Sequence, residues 1–384
     1  MEKSNKKKKF CYISAFHRDN NEIVLYRQSK TLIENNFEVF YVVSDNKSEE
    51  IIEGVQFKPS GFNPKGYLKR IFFAPYLAYR KAISIDADIY QTSSVDFIFI
   101  MLLIKLKNKK IIFHLDEAHP FTININPTIP KFFKKLMILL ISQWMKYSLK
   151  LFNAVFTISD DIKEYLIKWG VRKVYLLGNF PTVNYNYSLT YEDYIRRDNR
   201  IIYFGLIYKL SRQEVFLEAI KEIDDVDYLI AGLFNDNEYE KKITSLEKWK
   251  DVKFIKGFNK SKLVDFLSNS TISNVLRDFS LTGTPNGSMG IIKIFESMEA
   301  ALPIICSDVP VYREMMEKYK CGILVNPNDS IQIKNAIKFL IENKKNAYEM
   351  GQAGRKAVIE KYSWDIKSHL YLCVINECLH INNK

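Results

Sequence analysis

The sequence contains few of the residues that cross-link small proteins or bind structural metals. Its five cysteines, Cys11, Cys306, Cys321, Cys373 and Cys378, are spread over 384 residues, and no two have the CxxC spacing of zinc or redox sites. Most lie within apolar runs, which is typical of reduced, buried thiols in a cytosolic protein. We therefore expect a cytoplasmic protein without a disulfide framework and without a cysteine-bound metal.

Long hydrophobic runs are also missing. The longest uncharged apolar stretch, 136–145, is too short to cross a bilayer, which requires about 20 residues. The lysine-rich start, 1–9, precedes only seven mixed residues, which are too few and too polar for the apolar core of a signal peptide. We expect a protein that does not span a membrane.

Signatures of nucleic-acid modules and of dinucleotide cofactors are absent. There is no zinc-ligand spacing, RNA-recognition signature or arginine-rich arm, and no GxGxxG follows the first predicted strand. The chain nevertheless has 56 lysines and arginines against 44 acidic residues, a net charge of +12. A basic balance of this kind suits phosphate-bearing substrates or anionic lipid rather than a specific nucleic-acid partner.

The length and a hydrophobic content of 47% allow two domain cores. Strand-like and helix-like segments alternate along the chain, beginning with strand 10–16, helix 22–35 and strand 37–43, which predicts parallel sheets covered by helices. A second alternating series begins at 201–205. We predict an N-terminal Rossmann-like domain over 1–182, a linker over 183–199 where no apolar period exists, and a C-terminal Rossmann-like domain over 200–362.

One stretch, 285–308, combines features of an anion site. A turn rich in glycine, asparagine and serine leads directly into a helix of period 3.6, whose first N–H groups and positive dipole end would favour a phosphate. Lys293 and Glu296 are three residues apart and share one side of this helix. A cation and a carboxylate so placed would suit a diphosphate and the ribose hydroxyls of a nucleotide, although a solvated helix face is the plainer alternative.

Residues 293–305, KIFESMEAALPII, resemble the donor-site signature of family 4 of the glycosyltransferases. The resemblance implies a GT-B fold, with two Rossmann-like parallel-sheet domains facing a cleft and a C-terminal helix, 363–384, crossing back to the first domain. It implies that Glu296 binds the ribose of a nucleotide-sugar. Many members carry another acidic residue eight positions upstream that contacts the transferred sugar, where this chain has Ser288. The resemblance assigns the donor sugar to Ser288, Met289, Gly290 and Ile291.

Two further segments extend this resemblance to the nucleotide. Residues 205–212, GLIYKLSR, resemble the family turn G-x-x-x-x-x-R-G, whose basic side chains hold the diphosphate. Here the arginine is displaced by one residue, and Leu206 stands where another arginine is often found. The backbone after a later glycine touches the base in similar proteins. The resemblance thus implies a nucleotide site that comprises Gly205, Lys209, Arg212, Phe258, Lys293 and Glu296; two solvated loop charges are the alternative for Lys209 and Arg212.

In the N-terminal half, residues 16–45 resemble the opening of family members that build surface polysaccharides. The segment HLDEAHP, 114–120, follows a predicted strand where look-alikes read Y-D-x-H-E, so the acid and imidazole are exchanged. The resemblance implies that either Asp116 or His114 is catalytic, while Asp116 could instead only cap the turn. His17, Asp19 and Glu117 are the expected acceptor-side loop residues.

The segment 131–152 allows two interpretations. One narrow stripe of the predicted helix is polar, and nearly all the rest is apolar or aromatic; the stripe consists of Lys131, Lys135, Ser142, Lys146 and Lys150. The helix could pack in the domain core with one wet edge. Alternatively, it could lie near an anionic bilayer, with Trp144 and Tyr147 at the interface and the lysines on headgroups.

The expected function is a retaining glycosyltransferase of surface-polysaccharide or lipopolysaccharide type. It would move a sugar from a nucleoside diphosphate-sugar to a hydroxyl of a lipid-linked or oligosaccharide acceptor, on the inner face of the cytoplasmic membrane. Basic residues and a helix start would stabilise the leaving diphosphate, so we expect no metal and no cofactor beyond the donor. The rivals are a GT-B sugar-nucleotide epimerase and a catalytically degenerate subunit that assists a partner transferase.

Overall fold

The computed structural model of the chain describes residues 7–14, 23–63, 67–115, 131–282 and 285–380. These residues form two compact units. The first comprises the chain up to Asn179 together with the segment from Lys367 onward, and the second is Phe180–Ile366. Each unit is built around its own mainly parallel sheet.

The sheet of the first unit has eight strands in the order β3-β4-β2-β1-β5-β6-β7-β8. All neighbours are parallel except the hairpin β3–β4. The strands are β1 (Lys8–Ser14), β2 (Phe37–Val43), β3 (Glu50–Ile52), β4 (Val55–Pro59), β5 (Ile89–Thr92), β6 (Lys110–Leu115), β7 (Ala154–Thr157) and β8 (Val174–Leu176). Central strands such as β2 are almost wholly apolar because both faces of a parallel sheet are covered by helices.

Helices cover this sheet. A π-helix, Ile23–Ser29, leads into α1 (Lys30–Glu34); then follow α2 (Tyr67–Ile85), α3 (Ile98–Lys105), α4 (Lys131–Ser148) and α5 (Asp160–Lys168). Short 3₁₀ turns, Val95–Phe97 and Leu149–Leu151, flank α3 and α4. Among the residues that the structure describes, no helix combines the length and the apolar character that a membrane span needs.

The sheet of the second unit has six parallel strands in the order β11-β10-β9-β12-β13-β14. They are β9 (Arg200–Ile207), β10 (Asp227–Phe234), β11 (Val252–Lys256), β12 (Ile272–Asn274), β13 (Ile304–Ser307) and β14 (Gly322–Val325). The helices are α6 (Tyr191–Ile195), α7 (Gln213–Ile220), α8 (Asn237–Thr244), α9 (Lys260–Ser268), α10 (Ile292–Glu299), α11 (Pro310–Tyr319), α12 (Ser330–Glu342) and α13 (Lys344–Glu360), with 3₁₀ turns at Lys209–Ser211, Glu247–Asp251 and Phe279–Leu281.

The last helix, α14 (Trp364–His380), begins in the second unit and continues into the first. In the first unit, the hydroxyl of Tyr371 lies 2.9 Å from that of Tyr12 in β1. The predicted pair of parallel-sheet α/β domains with a returning C-terminal helix is confirmed.

The segment predicted as a linker, 183–199, packs within the second unit. Leu189 and Tyr194 are buried, and the guanidinium of Arg355 donates to the carbonyl oxygens of Asn184 at 2.7 Å and Tyr187 at 3.0 Å. The apolar side chains of this segment are too widely spaced to produce a sequence period. Tertiary contacts alone attach it to the unit.

The two sheets share one topological property. In each sheet the early strands extend to one side of the first strand and the later strands extend to its other side. The point where the order reverses lies between β1 and β5 in the first unit and between β9 and β12 in the second. Open α/β sheets bind ligands at the carboxyl ends of the strands on either side of such a switch point. The fold therefore predicts ligand sites at the carboxyl ends of β9 and β12 and of β1 and β5.

Candidate active site

The switch point of the second sheet brings a glycine and a lysine together. Gly205, near the end of β9, has φ +103°, and a Cβ added there would lie 3.5 Å from Cδ of Lys293. Gly232, its neighbour in β10, packs directly against the backbone of Gly205, since a Cβ at Gly232 would lie 1.9 Å from the carbonyl oxygen of Gly205. The two glycines keep the strand ends open beside the start of α10.

Lys293 lies in the first turn of α10, and its ammonium group rests against Tyr203. Nζ donates to the hydroxyl of Tyr203 at 2.8 Å, and this hydroxyl in turn donates to the carbonyl oxygen of Leu206 at 2.5 Å. Burial of Nζ and the nearby positive charge of Arg277 lower the pKa of Lys293 to about 7, while Glu296 opposes the shift. A nearby anion would therefore raise the pKa of Lys293 and favour its charged form.

Arg277 is the second cation of the site, and the sequence analysis missed it. It follows β12, where its backbone N–H donates to Ser307 Oγ at 2.9 Å. Its guanidinium donates to the hydroxyl of Tyr208 and stacks over the rings of Tyr208 and Phe279, at 5.4 and 5.7 Å from the centroids. Ligands of parallel sheets bind at the carboxyl ends of strands, so an arginine just beyond a predicted strand could have been identified as a candidate from the sequence.

Among the residues that the structure describes, these two cations form no salt bridge, and Glu296 acts on Lys293 only as a nearby charge. Neither Lys293 nor Arg277 forms an ion pair there, and Nε of Arg277 is buried without a hydrogen-bond partner in that part of the chain. Neighbouring positive charges that are partly removed from water repel each other unless an anion binds between them. The arrangement therefore has the electrostatics of an anion site, to which the amino end of α10 adds its dipole.

Arg212, predicted to bind the diphosphate, has a carboxylate partner within the protein. Its guanidinium donates twice to Asp278, at 2.9 Å from Nε and through Nη2, and Nη1 lies 3.7 Å from Glu214. Asp278 is 1% exposed, and although burial opposes this, hydrogen bonds from Ser280 and Arg212 hold its pKa below the ordinary value. Lys209 is exposed on the 3₁₀ turn before Arg212. The structure thus brings Arg277, rather than Arg212, beside Lys293.

Glu296 and the turn before α10 complete the site. Glu296 is 8% exposed in the middle of α10, close enough to Lys293 to affect its pKa. In the turn, Ser288 accepts from the N–H of Gly290 at 3.1 Å through Oγ and from Tyr312 at 2.9 Å through its carbonyl oxygen. α10 starts at Ile292, and the residue before it, Ile291, makes no side-chain hydrogen bond to the first N–H groups. The N-cap position therefore lacks the usual capping side chain.

Two other predicted residues of this region pack against hydrophobic neighbours. Phe258 forms an edge-to-face contact with Phe204, with ring centroids 6.4 Å apart, next to Gly257 at φ +73°. Met289 is partly buried against the core cluster that contains Ile294. The side chains of both residues therefore contribute to packing.

In the first unit, His114 is buried in β6 and its Nδ1 lies 2.9 Å from the side-chain nitrogen of Gln28. It lines a pocket at the carboxyl ends of β1 and β5. The other predicted residues of this unit, Asp116, Glu117, His17 and Asp19, lie outside the described residues.

Two family models match the chain. "Glycosyltransferase Family 4" matches residues 22–180, and "Glycosyl transferases group 1" matches residues 195–357. Each model falls almost entirely within one unit of the structure. No curated protein matches the sequence significantly.

Solved structures with the same fold cover nearly the whole chain. Sucrose-phosphate synthase from Thermosynechococcus elongatus superposes with a TM-score of 0.73 at 14% identity, covering 97% of this chain and 99% of that one. HepE from Anabaena, in complex with UDP and glucose, has a TM-score of 0.71 at 11% identity, with 96% and 100% covered. A glycosyltransferase from Rickettsia africae has a TM-score of 0.68 at 16% identity, with 98% and 100% covered. At these identities the likeness concerns the fold.

Proposed function

Because the chain belongs to the family 4 glycosyltransferases, we propose that it transfers a sugar from a nucleoside diphosphate-sugar to a hydroxyl of a lipid-linked or oligosaccharide acceptor, with retention of configuration. Surface-polysaccharide synthesis is the proposed context. The observation that carries the proposal is the pair Lys293 and Arg277, two adjacent cations that form no salt bridge among the described residues, beside the start of α10, whose N-cap residue makes no side-chain hydrogen bond.

The chemistry explains why these groups are useful. During transfer, the bond between the anomeric carbon and the diphosphate oxygen breaks with its electron pair on the diphosphate, the acceptor oxygen bonds to that carbon, and the acceptor proton passes to an oxygen of the departing diphosphate. Negative charge grows on the diphosphate, and preorganised cations and N–H groups stabilise such charge more in the transition state than in the ground state. Lys293, Arg277 and α10 would supply this stabilisation, while Glu296 would hold the ribose.

A binding experiment tests the site directly. Uridine nucleotides come first, because HepE, a protein of the same fold, is known in complex with UDP. We expect Lys293→Met and Arg277→Met each to weaken UDP binding by at least about tenfold, as measured by isothermal titration calorimetry, since each removes a charge-assisted hydrogen bond. Lys262→Met, an exposed lysine of α9, is the control and should bind as the wild type does. Unchanged binding in both site variants would move the nucleotide elsewhere.

The acceptor requirement separates the proposal from its rivals. A glycosyltransferase releases nucleoside diphosphate rapidly only when an acceptor hydroxyl is present. A sugar-nucleotide epimerase would convert the donor without any acceptor, and a degenerate subunit would bind donor but release nothing. Mass spectrometry of donor, nucleotide and product, with and without lipid-linked acceptors, discriminates among the three.

We also propose catalysis without a metal ion, since protein cations would do the work that a divalent cation does elsewhere. Transfer should proceed unchanged in EDTA. Loss of activity in EDTA, restored by magnesium, would contradict this part of the proposal.

An anionic membrane surface is the proposed partner of α4. The structure leaves large apolar or aromatic side chains of this helix exposed, with lysines beside them; they are Phe133, Leu136, Leu139, Leu140, Trp144 and Tyr147. Leu140 is 60% exposed and Tyr147 is 62% exposed, whereas a helix with one wet edge would bury such residues. Lys135, Lys146 and Lys150 suit acidic headgroups.

Vesicle sedimentation tests this partner. The protein should pellet with phosphatidylglycerol vesicles at low salt and less so at high salt or with phosphatidylcholine alone. Replacing Leu139 and Leu140 together by serine should abolish pelleting, because both side chains are more than half exposed and neither belongs to the core. Wild-type protein that stays in the supernatant with anionic vesicles would contradict the proposed membrane contact of α4.

A further inference from the structure

A chain of buried hydrogen bonds runs through the first unit and reaches His114. The hydroxyls of Tyr12 and Tyr371 are 2.9 Å apart, and Tyr371 donates to Oε1 of Gln91 at 3.4 Å. Nε2 of Gln91 donates to Oε1 of Gln28 at 2.8 Å, and Nε2 of Gln28 lies 2.9 Å from Nδ1 of His114. All five side chains belong to residues that are 2% exposed or less.

The chain has one direction. An amide nitrogen carries hydrogens but offers no lone pair, so it can only donate. Because the amide oxygen of Gln28 accepts from Gln91, its nitrogen faces His114 and donates to Nδ1. A ring nitrogen that accepts carries no proton, and the proton of the imidazole therefore lies on Nε2.

The segments that supply these groups are far apart in sequence. Gln28 lies in the π-helix, Gln91 in β5, and Tyr371 in α14. Burying two glutamine amides and two hydroxyls is costly unless each is hydrogen-bonded, and apolar side chains would fill the same volume without that requirement. A hydrogen-bonded polar chain that includes a histidine ring therefore points to a role for the orientation of that ring.

The surroundings of His114 support such a role. With Ser14, Thr92 and Ser93, it lines a pocket at the carboxyl ends of β1, β5 and β6. This is the switch point of the first sheet, where open α/β sheets place ligands.

We propose that Gln28 is a positioning residue, supported by Gln91 and Tyr371, that holds His114 as the Nε2–H tautomer during sugar transfer. The inference rests on the proposed function and on the sequence-based expectation that His114 acts near the reacting groups. In this tautomer the ring offers a hydrogen bond to a substrate oxygen and does not act as the base that removes the acceptor proton. The C-terminal helix participates through Tyr371, although it is distant in sequence from the other groups.

The tautomer is measurable without any substrate. In the full chain labelled with ¹⁵N-histidine, and with His114 assigned from the signals missing in His114→Asn, Nδ1 should resonate as an unprotonated nitrogen and Nε2 as a protonated one. Gln28→Glu replaces the donor by a carboxylate that accepts, so the ring proton should move to Nδ1. Gln28→Leu should give a mixture of tautomers.

A matched control addresses general destabilisation. Thr92→Val removes a buried hydroxyl that donates to the carbonyl oxygen of Ile13 at 2.8 Å, in the same pocket but outside the hydrogen-bonded chain. It should leave the His114 signals unchanged. A wild-type ring protonated on Nδ1, or a ring that keeps its tautomer in Gln28→Glu, would overturn the proposal.

Kinetics complete the test and separate this inference from the proposed function. In Gln28→Glu the kcat of transfer should fall by at least about tenfold, with the KM for donor and the Kd for UDP unchanged, because the nucleotide residues lie in the second unit. A moved proton with an unchanged kcat would contradict the positioning role. If the wild type transfers no sugar from any donor, the proposed function fails while the tautomer measurement still stands.

Discussion

Arg212 and Arg277 have different kinds of partner in the structure. Arg212 is paired with the buried carboxylate of Asp278, whereas Arg277 stacks on aromatic rings and has no acidic partner among the described residues. An arginine with a buried carboxylate partner is held by the protein, while one beside a second cation is available to an anionic ligand. Charge alone does not distinguish these roles; the identity of the neighbours does.

Arg212→Met should therefore destabilise the protein by about 3 kcal/mol, because it leaves the buried carboxylate of Asp278 without its cation. Arg277→Met should change the free energy of unfolding by less than about 1 kcal/mol, since it removes a charge that repels Lys293. Urea denaturation of both variants measures the difference. Equal destabilisation by the two substitutions would contradict the assignment.

In the proposed site, Lys293 should make nucleotide binding dependent on pH. Its pKa is about 7 in the free protein, lowered first by burial and then by Arg277, and a bound diphosphate would raise it again. Above pH 7 the lysine must take up a proton when the anion binds, so the affinity for UDP should fall by up to about tenfold per pH unit. Calorimetry at pH 8 in buffers of different ionisation enthalpy should detect this proton uptake.

The same measurement on Lys293→Met provides the control, because its weaker binding should lose the pH dependence. The stability of the free wild-type protein should change in the corresponding direction. Since the unfolded chain binds more protons than the folded one between the lowered pKa and the ordinary value of 10.5, stability should rise with pH above 7. A flat affinity profile from pH 6 to 9 would contradict the lowered pKa.

At the scale of elements, the turn before α10 decides where the helix begins. Gly287 has φ +92°, and a Cβ added there would lie 2.7 Å from Cγ2 of Val309 and 2.9 Å from Cγ1 of Val311. The carbonyl oxygen of Asn286 accepts from the N–H of Val311 at 3.1 Å, which fixes the turn against α11. A side chain at Gly287 must displace this contact and, with it, the uncapped start of α10.

Gly287→Ala should lower the free energy of unfolding by about 1–3 kcal/mol and weaken UDP binding as well. Gly61→Ala is the matched control, because Gly61 has φ +76° but nothing within 4 Å of an added Cβ. Its cost should come from the backbone alone and should leave nucleotide binding unchanged. The comparison fails if the two substitutions have equal effects on stability and on UDP affinity.

At the scale of the whole molecule, the end of the chain completes the first unit. Tyr371, Val374, Ile375 and Cys378 of α14 are all buried, and the segment from Lys367 onward belongs to the unit that contains β1. The residues proposed to bind the nucleotide all lie in the second unit. Stability of the first unit and donor binding by the second should therefore respond differently to loss of this segment.

A chain that ends at Ile366 should show faster amide hydrogen exchange in β1 and β6 than the full chain, because it loses buried apolar contacts. UDP should still protect the start of α10 from exchange. Hydrogen-exchange mass spectrometry reports both regions in one experiment, and Tyr371→Phe, which keeps the ring, is the control. Unchanged protection of β1 after truncation would mean that α14 contributes little to the first unit.

Several elements were predictable because their sequence pattern is local. Strand Phe37–Val43 and helix Ile292–Glu299 were expected at or near their observed bounds, since uninterrupted apolar runs and a period of 3.6 are visible without a fold. The hairpin of Glu50–Ile52 and Val55–Pro59 was missed, because its turn uses Glu53 and Gly54 rather than the usual Asn-Gly.

The sequence by itself determined the class of the protein, the two alternating α/β halves, and the helix that carries Lys293 and Glu296. These features depend on periodicity and on a motif whose residues are neighbours along the chain. Only the tertiary structure decided that Arg277 joins Lys293 while Arg212 pairs with Asp278, and that Tyr371 reaches His114 through Gln91 and Gln28. Pairings between residues far apart in sequence are set by strand order and packing, and one sequence contains no local signal for them.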